Sequence, residues 1–441
     1  MELKKTQDIL REMGVVGAGG AGFPSYAKLS DKAKTIILNC AECEPLLKVH
    51  RQVLEEYVYE ILSALADVVS ACGAEQGIVA VKSHYTSTLN ALKAEIDAFP
   101  SLSICTLEAV YPAGDEIILI KEVTGKTVAP GSLPISIGVV VCNVESMLGV
   151  YNAMKGIPVT HKYVTVAGEV KAPVTLRVPL GTKISELISA AGGVTVDDPE
   201  YISGGPMMGK LISVGDVVTK TTNAIIVLPQ NHTVVLNKKL NFKINLRRTA
   251  SVCCQCRSCT ELCSRHVIGY PVEPHAVMRL FSNGGRGDMS VVAGAMFCSG
   301  CGLCETYSCP QGLSPRMVIS EMKSVARQNG LKLPTDVPFN PNPKDAELKK
   351  VSVERLSARL GLSKYDKPAP ISEDFSTKQV KIMLAQSIGA PAVACVNIGD
   401  TVKAGDTIGK IKDGTLGVNV HASIDGKITA VNEKYIKISK V

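Results

Sequence analysis

The sequence predicts a multidomain chain of mixed α/β and α+β class that ends in an all-β module. Three observations carry this prediction. The chain has 441 residues, and at roughly 150 residues per domain that is about three domains. Strand-like runs alternate with amphipathic helices over residues 1–160, the pattern of a sheet covered by helices. Nine of the fifteen cysteines fall between Cys253 and Cys309, so one stretch is specialised for thiol chemistry. Fifteen is too few for a disulfide scaffold, and a chain that clusters its thiols is expected to bind metal. No apolar run reaches the roughly 18 residues of a membrane helix. The lysines near Met1 are followed by no apolar signal region, so the expected location is cytoplasmic.

Residues 1–160 open with a short amphipathic helix (Leu3, Ile9, Leu10, Met13), which reads as either a targeting peptide or a structural helix. The glycine run Gly17-Ala-Gly-Gly-Ala-Gly22 follows, then a strand from Thr35 to Asn39 and a helix from His50 to Cys72. Gly77–Val81 and Ile137–Cys142 read as further buried strands, with a helix from Ser87 to Phe99 between them. Residues 161–236 change to alternating β-like runs around one helix (Ile184 to Ala191), punctuated by Gly192-Gly193 and Gly204-Gly205-Pro206, as in a small α+β module. Residues 237–335 hold the cysteines among short helices. Residues 336–375 are rich in Pro, Lys and Asp and read as a linker with one helix, Asp345 to Leu360. Residues 376–441 return to short strands with Gly-Asp and Asp-Gly turns, an all-β module.

The cysteines carry the strongest chemical signal. Cys253, Cys256, Cys259 and Cys263 stand in C-x2-C-x2-C-x3-C spacing; Cys298, Cys301, Cys304 and Cys309 stand in C-x2-C-x2-C-x4-C, followed by Pro310. Such spacing lets successive thiolates converge on one cubane while backbone N–H groups bond the sulfurs. In two-cluster ferredoxins the fourth cysteine of each run ligates the other cluster. That rule pairs Cys253, Cys256 and Cys259 with Cys309, and Cys298, Cys301 and Cys304 with Cys263. A four-cysteine zinc site is the competing reading, but it leaves a thiol of each triple unused. Ser264 follows Cys263 where ferredoxins usually have Pro, and the second run is one residue longer before its last cysteine.

The net charge of +7 overlaps the cysteines: Lys238 to Arg286 holds nine Lys/Arg against Glu261 and Glu273. A cubane with four thiolates carries about −2, which such a surplus offsets. Nucleic-acid binding is not expected, because the basic stretch lacks interleaved aromatics.

Gly17-x-Gly19-x-x-Gly22 matches a dinucleotide fingerprint by letter, but it follows a helix and precedes a strand, the reverse of a Rossmann loop. Its N–H groups can still cradle a phosphate. Asn39-Cys-Ala-Glu42-Cys-Glu44-Pro45 comes directly after a strand, where α/β sheets place ligand groups.

Gly14 to Pro24 with Lys28, and then Asn39 to Pro45, resemble the FMN- and NADH-binding region of the complex I flavoprotein subunit. They resemble the RnfC component of the Rnf electron-transport complex more closely. Tyr111-Pro-Ala-Gly114-Asp115-Glu116, Asn143-Val-Glu145 and Ile202-Ser-Gly-Gly-Pro-Met-Met-Gly209 follow in the family's order, ahead of the cysteine runs. In RnfC the barrel-sandwich module comes first. Here Gly399-Asp-Thr-Val-Lys-Ala-Gly-Asp and Ile424-Asp-Gly put that module last, an order that resembles the cobalamin reductases of propanediol-utilisation microcompartments.

The resemblance implies a Rossmann-like FMN/NADH domain (1–160), a β-grasp or SLBB domain (161–236), a helical two-[4Fe–4S] ferredoxin-type domain (237–335), a linker (336–375) and a lipoyl-like barrel-sandwich hybrid domain (376–441). It implies FMN contacts at Gly17, Gly19, Gly20, Lys28, Asn39, Glu42 and Asn143. Gly114, Asp115 and Glu116 would border flavin and nicotinamide, with Phe23 and Glu44 on the NADH side; Ala41 replaces an acidic residue of the complex I relative. The implied activity is NADH oxidation through FMN and two [4Fe–4S] clusters, with cobalamin as acceptor. The implied partners are cobalamin or a cobalamin-handling enzyme and microcompartment shell or lumen proteins. The alternatives are an Rnf-like electron relay within a membrane-associated complex and a zinc-bound scaffold. The lipoyl-like segment Asp413 to Val418 contains no lysine, so that module is expected to be structural or to dock. Cys40 and Cys43 are expected to pack rather than bind metal.

Overall fold

A computed structural model describes residues 2–440 apart from 335, 336, 338 and 342–345. Helix α1 (Leu3–Glu12) leads into the glycine run. Strand β1 (Thr35–Cys40), helices α2 (Val49–Glu56) and α3 (Val58–Cys72), strand β2 (Gln76–Lys82) and helix α4 (Thr86–Glu95) follow. Then come strands β3 (Leu102–Leu107) and β4 (Val110–Tyr111), helix α5 (Glu116–Thr124), strand β5 (Val139–Asn143) and helix α6 (Val144–Met154). The parallel sheet runs β3-β2-β1-β5. Alternate residues of β1 serve opposite faces. Ile36, Leu38 and Cys40 enter a core with residues of α3 and α6, while Ile37 meets Leu119 and Ile120 of α5. Burial on both faces explains why these strands are unbroken Ile/Val/Leu runs. The single helix expected from His50 to Cys72 breaks at Tyr57, whose hydroxyl donates to Glu373 and accepts from Tyr163 at 2.9 Å.

The second sheet is built from β6 (His161–Gly168), β7 (Val174–Pro179), β8 (Pro199–Ser203), β9 (Lys210–Ile212) and β10 (Ala224–Pro229), with α7 (Ile184–Ala190) packed on it. Seven more helices and one-turn segments follow: α8 (Thr233–Lys238), α9 (Phe242–Val252), α10 (Ser258–Glu261), α11 (Ser264–Val267), α12 (Pro274–Ser282), α13 (Ser290–Ala295) and α14 (Leu303–Thr306). Helix α15 (Pro315–Gln328) closes the cysteine-bearing region, packing with α12 over Val277, Met278, Val318 and Ile319.

The stretch after α15 is tied into its neighbours. Strand β11 (Val351–Ser352) pairs with β4, helix α16 (Val353–Arg359) buries Leu356, and β12 (Ile371–Ser372) pairs with β7 at the edge of the second sheet. The helix expected from Asp345 to Leu360 is a 3-10 turn (Ala346–Lys349) and then α16; Asp345 lies outside the described residues. The last module pairs β13 (Gln379–Met383), β19 (Tyr435–Ser439), β18 (Gly426–Val431) and β15 (Thr401–Val402) in one sheet. β14 (Val393–Ala394), β16 (Thr407–Lys410) and β17 (Val420–His421) form the other, and the two enclose Ile382, Ile408, Ile436 and Ile438. No helix among the described residues is long and apolar enough to cross a membrane.

Leu46 and Tyr111 from the first module, Ile202, Met207 and Ile226 from the second, Cys301 and Leu303 from the cysteine region, and Leu356 and Tyr365 from the strap share one core. A single apolar cluster thus cements four parts of the chain.

Candidate functional site

The chain leaves β1 through α2 and α3 to reach β2 on one side, and β5 lies on the other. The carboxyl ends of β1 and β5 therefore form a topological switch point, the place where open α/β sheets bind ligands. Asn39 and Asn143 are register partners at those ends. Asn39 Nδ2 donates to the Gly114 carbonyl at 3.0 Å, and its Oδ1 accepts from Ala41 N at 3.0 Å. Asn143 Oδ1 caps α6 by accepting from Glu145 N at 2.9 Å, and its Nδ2 stands 3.1 Å from the His50 ring.

The glycine run is a turn closed by Gly17 N donating to Phe23 O at 2.9 Å. Ala18 N donates to Ser146 Oγ at 2.8 Å, stitching the turn to the first turn of α6. A Cβ at Gly19 would overlap Asn143 Nδ2, whereas one at Gly20 would meet nothing within 4 Å. Glycine at 19 is thus demanded by close approach, and Gly20 faces open space. Lys28 Nζ donates to Glu116 Oε1 at 3.0 Å and to the Val141 carbonyl at 3.2 Å, on the same rim.

Glu42 is buried, with Oε1 accepting from His50 N at 3.0 Å, while its Oε2 has no hydrogen-bond partner among the described residues. A buried carboxylate oxygen without a donor is costly. The crevice therefore fits a ligand that brings hydroxyl or N–H donors to Glu42. It also offers a phosphate the glycine turn and the start of an 11-residue helix. FMN has that combination, and Gly17, Gly19, Gly20, Lys28, Asn39, Glu42 and Asn143 would hold it.

The remaining expected residues link this crevice to other modules. Gly114 N donates to Cys43 Sγ at 3.4 Å, and a Cβ there would lie 2.8 Å from the Ala41 carbonyl. Asp115 caps α5 and pairs with Arg265 at 2.8 Å, with both side chains largely buried. Phe23 is half-buried, with its backbone in the turn closure. Glu44 faces the second module: its two oxygens accept from Met207 N and Met208 N, each at 2.8 Å. Burial raises the Glu44 pKa against these two bonds and the charges of Lys238 and Arg316. A Cβ at Gly205 would overlap the Glu44 carboxylate, which explains the glycine at 205. Arg316 Nη1 donates to the Met207 carbonyl at 2.7 Å, so the Met207 loop is gripped from the flavin side and the cysteine side together.

Sequence reading passed over His50, Lys82, Ser146 and Arg265. Lys82 is buried at the end of β2; burial lowers its pKa most, against the pull of Cys43 and Glu42. The available signal was a lysine ending the apolar run Ile78-Val-Ala-Val81 at the carboxyl end of a parallel strand. Cys40 packs in the α3/α6 core and Cys43 against the shared core, so the two do not converge. Burial pushes the Cys43 thiol up to about 12.

The cysteine runs fold into two groups of thiols. Burial first, then Cys309, Cys256 and Cys253, push Cys259 up to about 12. Burial and then Cys301, with Cys298 further down, raise Cys263; Cys304 is raised by burial, Glu305, Cys298, Cys301 and Cys263. Cys309 thus stands with the first run and Cys263 with the second. Among the described residues no group of three or more His, Cys, Asp or Glu is arranged to hold a metal ion. Burial and neighbouring thiols raise Cys259, Cys263, Cys301 and Cys304, and a metal centre bound there would displace their protons. The loops repeat each other: Gln255 (φ 55°) and Arg257 (φ 66°) occupy the positions of Gly300 (φ 75°) and Gly302 (φ 86°). Gly300 N donates to Cys298 Sγ at 3.3 Å and Leu313 N to Cys309 Sγ at 3.4 Å, the N–H···S bonding that tunes iron–sulfur clusters.

The groups differ in depth. Cys263, Cys301 and Cys304 are buried, and the Tyr111 hydroxyl donates to the Cys301 carbonyl at 2.6 Å. In the first group Cys256 is exposed, as is its neighbour Cys254.

Comparison with known proteins agrees with this layout. Residues 10–152 match the Nuo51 FMN-binding domain, 163–211 the SLBB domain, 252–314 the 4Fe-4S dicluster domain and 362–440 the RnfC barrel sandwich hybrid domain. "Cobalamin reductase PduS" of Citrobacter freundii is 40% identical over 97% of this chain and 95% of its own length. That of Salmonella typhimurium is 39% identical over 99% and 98%. A component of the "Na(+)-translocating ferredoxin:NAD(+) oxidoreductase complex" of Acetobacterium woodii is 31% identical over 60% of this chain and 59% of its own. Among solved structures, an NAD+-reducing [NiFe]-hydrogenase in the H2-reduced state shares the fold at TM-score 0.51 and 19% identity. That match covers 81% of this chain and 67% of the other.

Proposed function

The chain belongs to the PduS cobalamin reductase family, and we propose that it oxidises NADH at the β1/β5 crevice and delivers the electrons through two [4Fe–4S] clusters to cobalamin. An FMN-binding domain and a 4Fe-4S dicluster domain in one chain make it a flavin and iron–sulfur oxidoreductase. The observation that carries the route is the Tyr111 hydroxyl on the Cys301 carbonyl, which ties the loop beside the flavin crevice to the second thiol group.

FMN, when bound, accepts a hydride as an electron pair and releases electrons singly. The chain's own residues orient and insulate. Gly17, Gly19 and Gly20 let the backbone approach the phosphate end, with Lys28 on the same rim. Asn39, Glu42 and Asn143 fix the crevice floor. Gly114, Asp115, Glu116 and Phe23 border the nicotinamide side, and Glu44, expected there, anchors the Met207 loop alongside. Cys298, Cys301, Cys304 and Cys263 would hold one cluster, and Cys253, Cys256, Cys259 and Cys309 the other. We divide the chain into an FMN/NADH domain (1–160), an SLBB domain (161–236), a dicluster domain (237–335), a connecting strap (336–375) and a barrel-sandwich domain (376–441). The family resemblance supports a cytoplasmic microcompartment as the location, with shell or lumen proteins as neighbours. Two full-length PduS relatives favour this over the Rnf-like relay, whose relative aligns over 60% of the chain.

The test is NADH-dependent reduction of cob(III)alamin by anaerobically purified, cluster-loaded protein. Flavin bleaching followed by cobalamin reduction is expected. A bleached flavin with cobalamin still oxidised, while another acceptor reacts, overturns the acceptor. A colourless protein holding zinc and no iron overturns the whole reading.

A further inference from the structure

The two thiol groups differ in what lies over them. The second is covered by the flavin module and the shared core, whereas the first opens to solvent at Cys254 and Cys256. Helix α9 runs into this opening, since Cys253 is its C-cap. Its inner face buries Asn245 and Thr249; its outer face exposes Lys243, Ile244, Arg247, Arg248 and Val252. Ile244 is 58% exposed and Val252 40%, one helical turn on either side of Arg248.

The charge here is one-sided. Between Asp216 and Glu261 the chain has seven Lys/Arg and no acid. Four of the seven bond internally: Lys220 donates to the Gly14 and Asn419 carbonyls, Lys238 to the Gly209 carbonyl, Arg248 Nη2 to the Gln311 carbonyl at 3.4 Å, and Lys239 pairs with Glu200. Arg257 makes a loose 3.7 Å contact with Glu261. Lys243 and Arg247 form no salt bridge among the described residues. Offsetting the charge of a cluster does not account for all of them. Lys243 stands ten residues before Cys253, about 15 Å along the helix at 1.5 Å per residue. Salt screens charge over about 8 Å at physiological ionic strength.

We infer that the outer face of α9, together with the Cys253–Arg257 loop, is the docking surface for an acidic one-electron carrier protein. This rests on the reading that the first thiol group holds a cluster. Acidic groups on the partner would steer encounter and set orientation, and apolar groups beside them would cover Ile244 and Val252. Each NADH yields NAD+, one proton and two electrons, so two oxidised carriers leave as two reduced ones.

The probe is an acidic flavodoxin, titrated into the holoprotein and monitored by calorimetry at low and high salt, with NADH-driven transfer followed in parallel. The parent protein binds at low salt and loses affinity as salt rises. The variant K243E/R247E/R248E loses about tenfold or more in affinity and in transfer rate, while NADH still bleaches its flavin at the parent rate. K243Q/R247Q/R248Q gives a smaller loss in the same direction; iron content and far-UV circular dichroism equal to the parent's show that folding is retained. K403E/K427E, on the exposed barrel surface, leaves binding unchanged. Absence of binding by the parent, equal binding by the charge-reversed helix, or equal loss in the barrel control overturns the docking surface. Cobalamin reduction that is insensitive to salt and to all these variants, with no flavodoxin transfer, would mean that the acceptor reaches the cluster as a small molecule, and also overturns it. An NADH-inert flavin in the parent would instead defeat the hydride reading, and binding alone would then judge the surface.

Discussion

Glu44 and Gly205 show how one residue's identity is set by another far along the chain. Any side chain at 205 meets the Glu44 carboxylate, so Gly205→Ala is expected to destabilise by about 1–3 kcal/mol through overpacking, read as a lower unfolding midpoint. Glu44→Ala strands the Met207 and Met208 N–H groups. The double variant should cost less than the sum of the two, because the overlap at 205 has gone. Lys220 offers a pH test. Burial alone lowers its pKa from 10.5 to about 7. Between those values the unfolded chain holds a proton that the folded chain has released, so this lysine makes stability rise with pH across that window. Parallel pH series of unfolding should show wild type gaining on Lys220→Met from pH 7 to about 10.5; a constant gap would refute the shift. Asn39, Glu42 and Asn143 were expected from the family resemblance, and Asn39 and Asn143 prove to be register partners at the ends of β1 and β5. The engagement of Glu44 was not, since its partners lie 163 and 164 residues away.

At the level of elements, α5 carries the junction between crevice and cysteines. Asp115 caps it through Ile117 N and Ile118 N and also pairs with Arg265. Asp115→Asn keeps a good cap and loses the ion pair; Asp115→Ala loses both. The alanine variant should be less stable than the asparagine variant by about 1 kcal/mol, the worth of a cap. The asparagine variant should itself fall well below wild type, because Arg265 is left buried and unpaired. Denaturant midpoints for the three proteins decide both claims. Strands β1, β2 and β5 were legible because burial on both faces writes itself as unbroken apolar runs. Periodicity gave no account of α5, α6 or the break at Tyr57. That break coincides with hydroxyl contacts to Tyr163 and Glu373, which local pattern does not encode.

Across the whole molecule, composition reveals the succession of modules but not how firmly they are joined. The contact between Tyr111 and Cys301 spans 190 residues, and the core around it draws on four parts of the chain. Losing either cluster should therefore have unequal effects. Cys256→Ala should remove one cluster's EPR signal, with roughly half the iron, and leave FMN affinity unchanged. Cys301→Ala should remove the other signal and weaken FMN binding as well; equal flavin affinity in the two variants would show that the shared core transmits nothing. The barrel-sandwich module is seated at the opposite end of the sequence yet against its beginning. Asn419 N donates to the Arg11 carbonyl at 3.2 Å, Arg11 Nη2 to that of Lys412 at 3.3 Å, and Ile388 N to that of Gly22 at 3.1 Å. A module resting on the first helix can be attached ahead of that helix as readily as behind β12. Circular permutation would then exchange one covalent tether for another while the seat stays the same, so the order of modules along a chain is a poor guide to their neighbours in space.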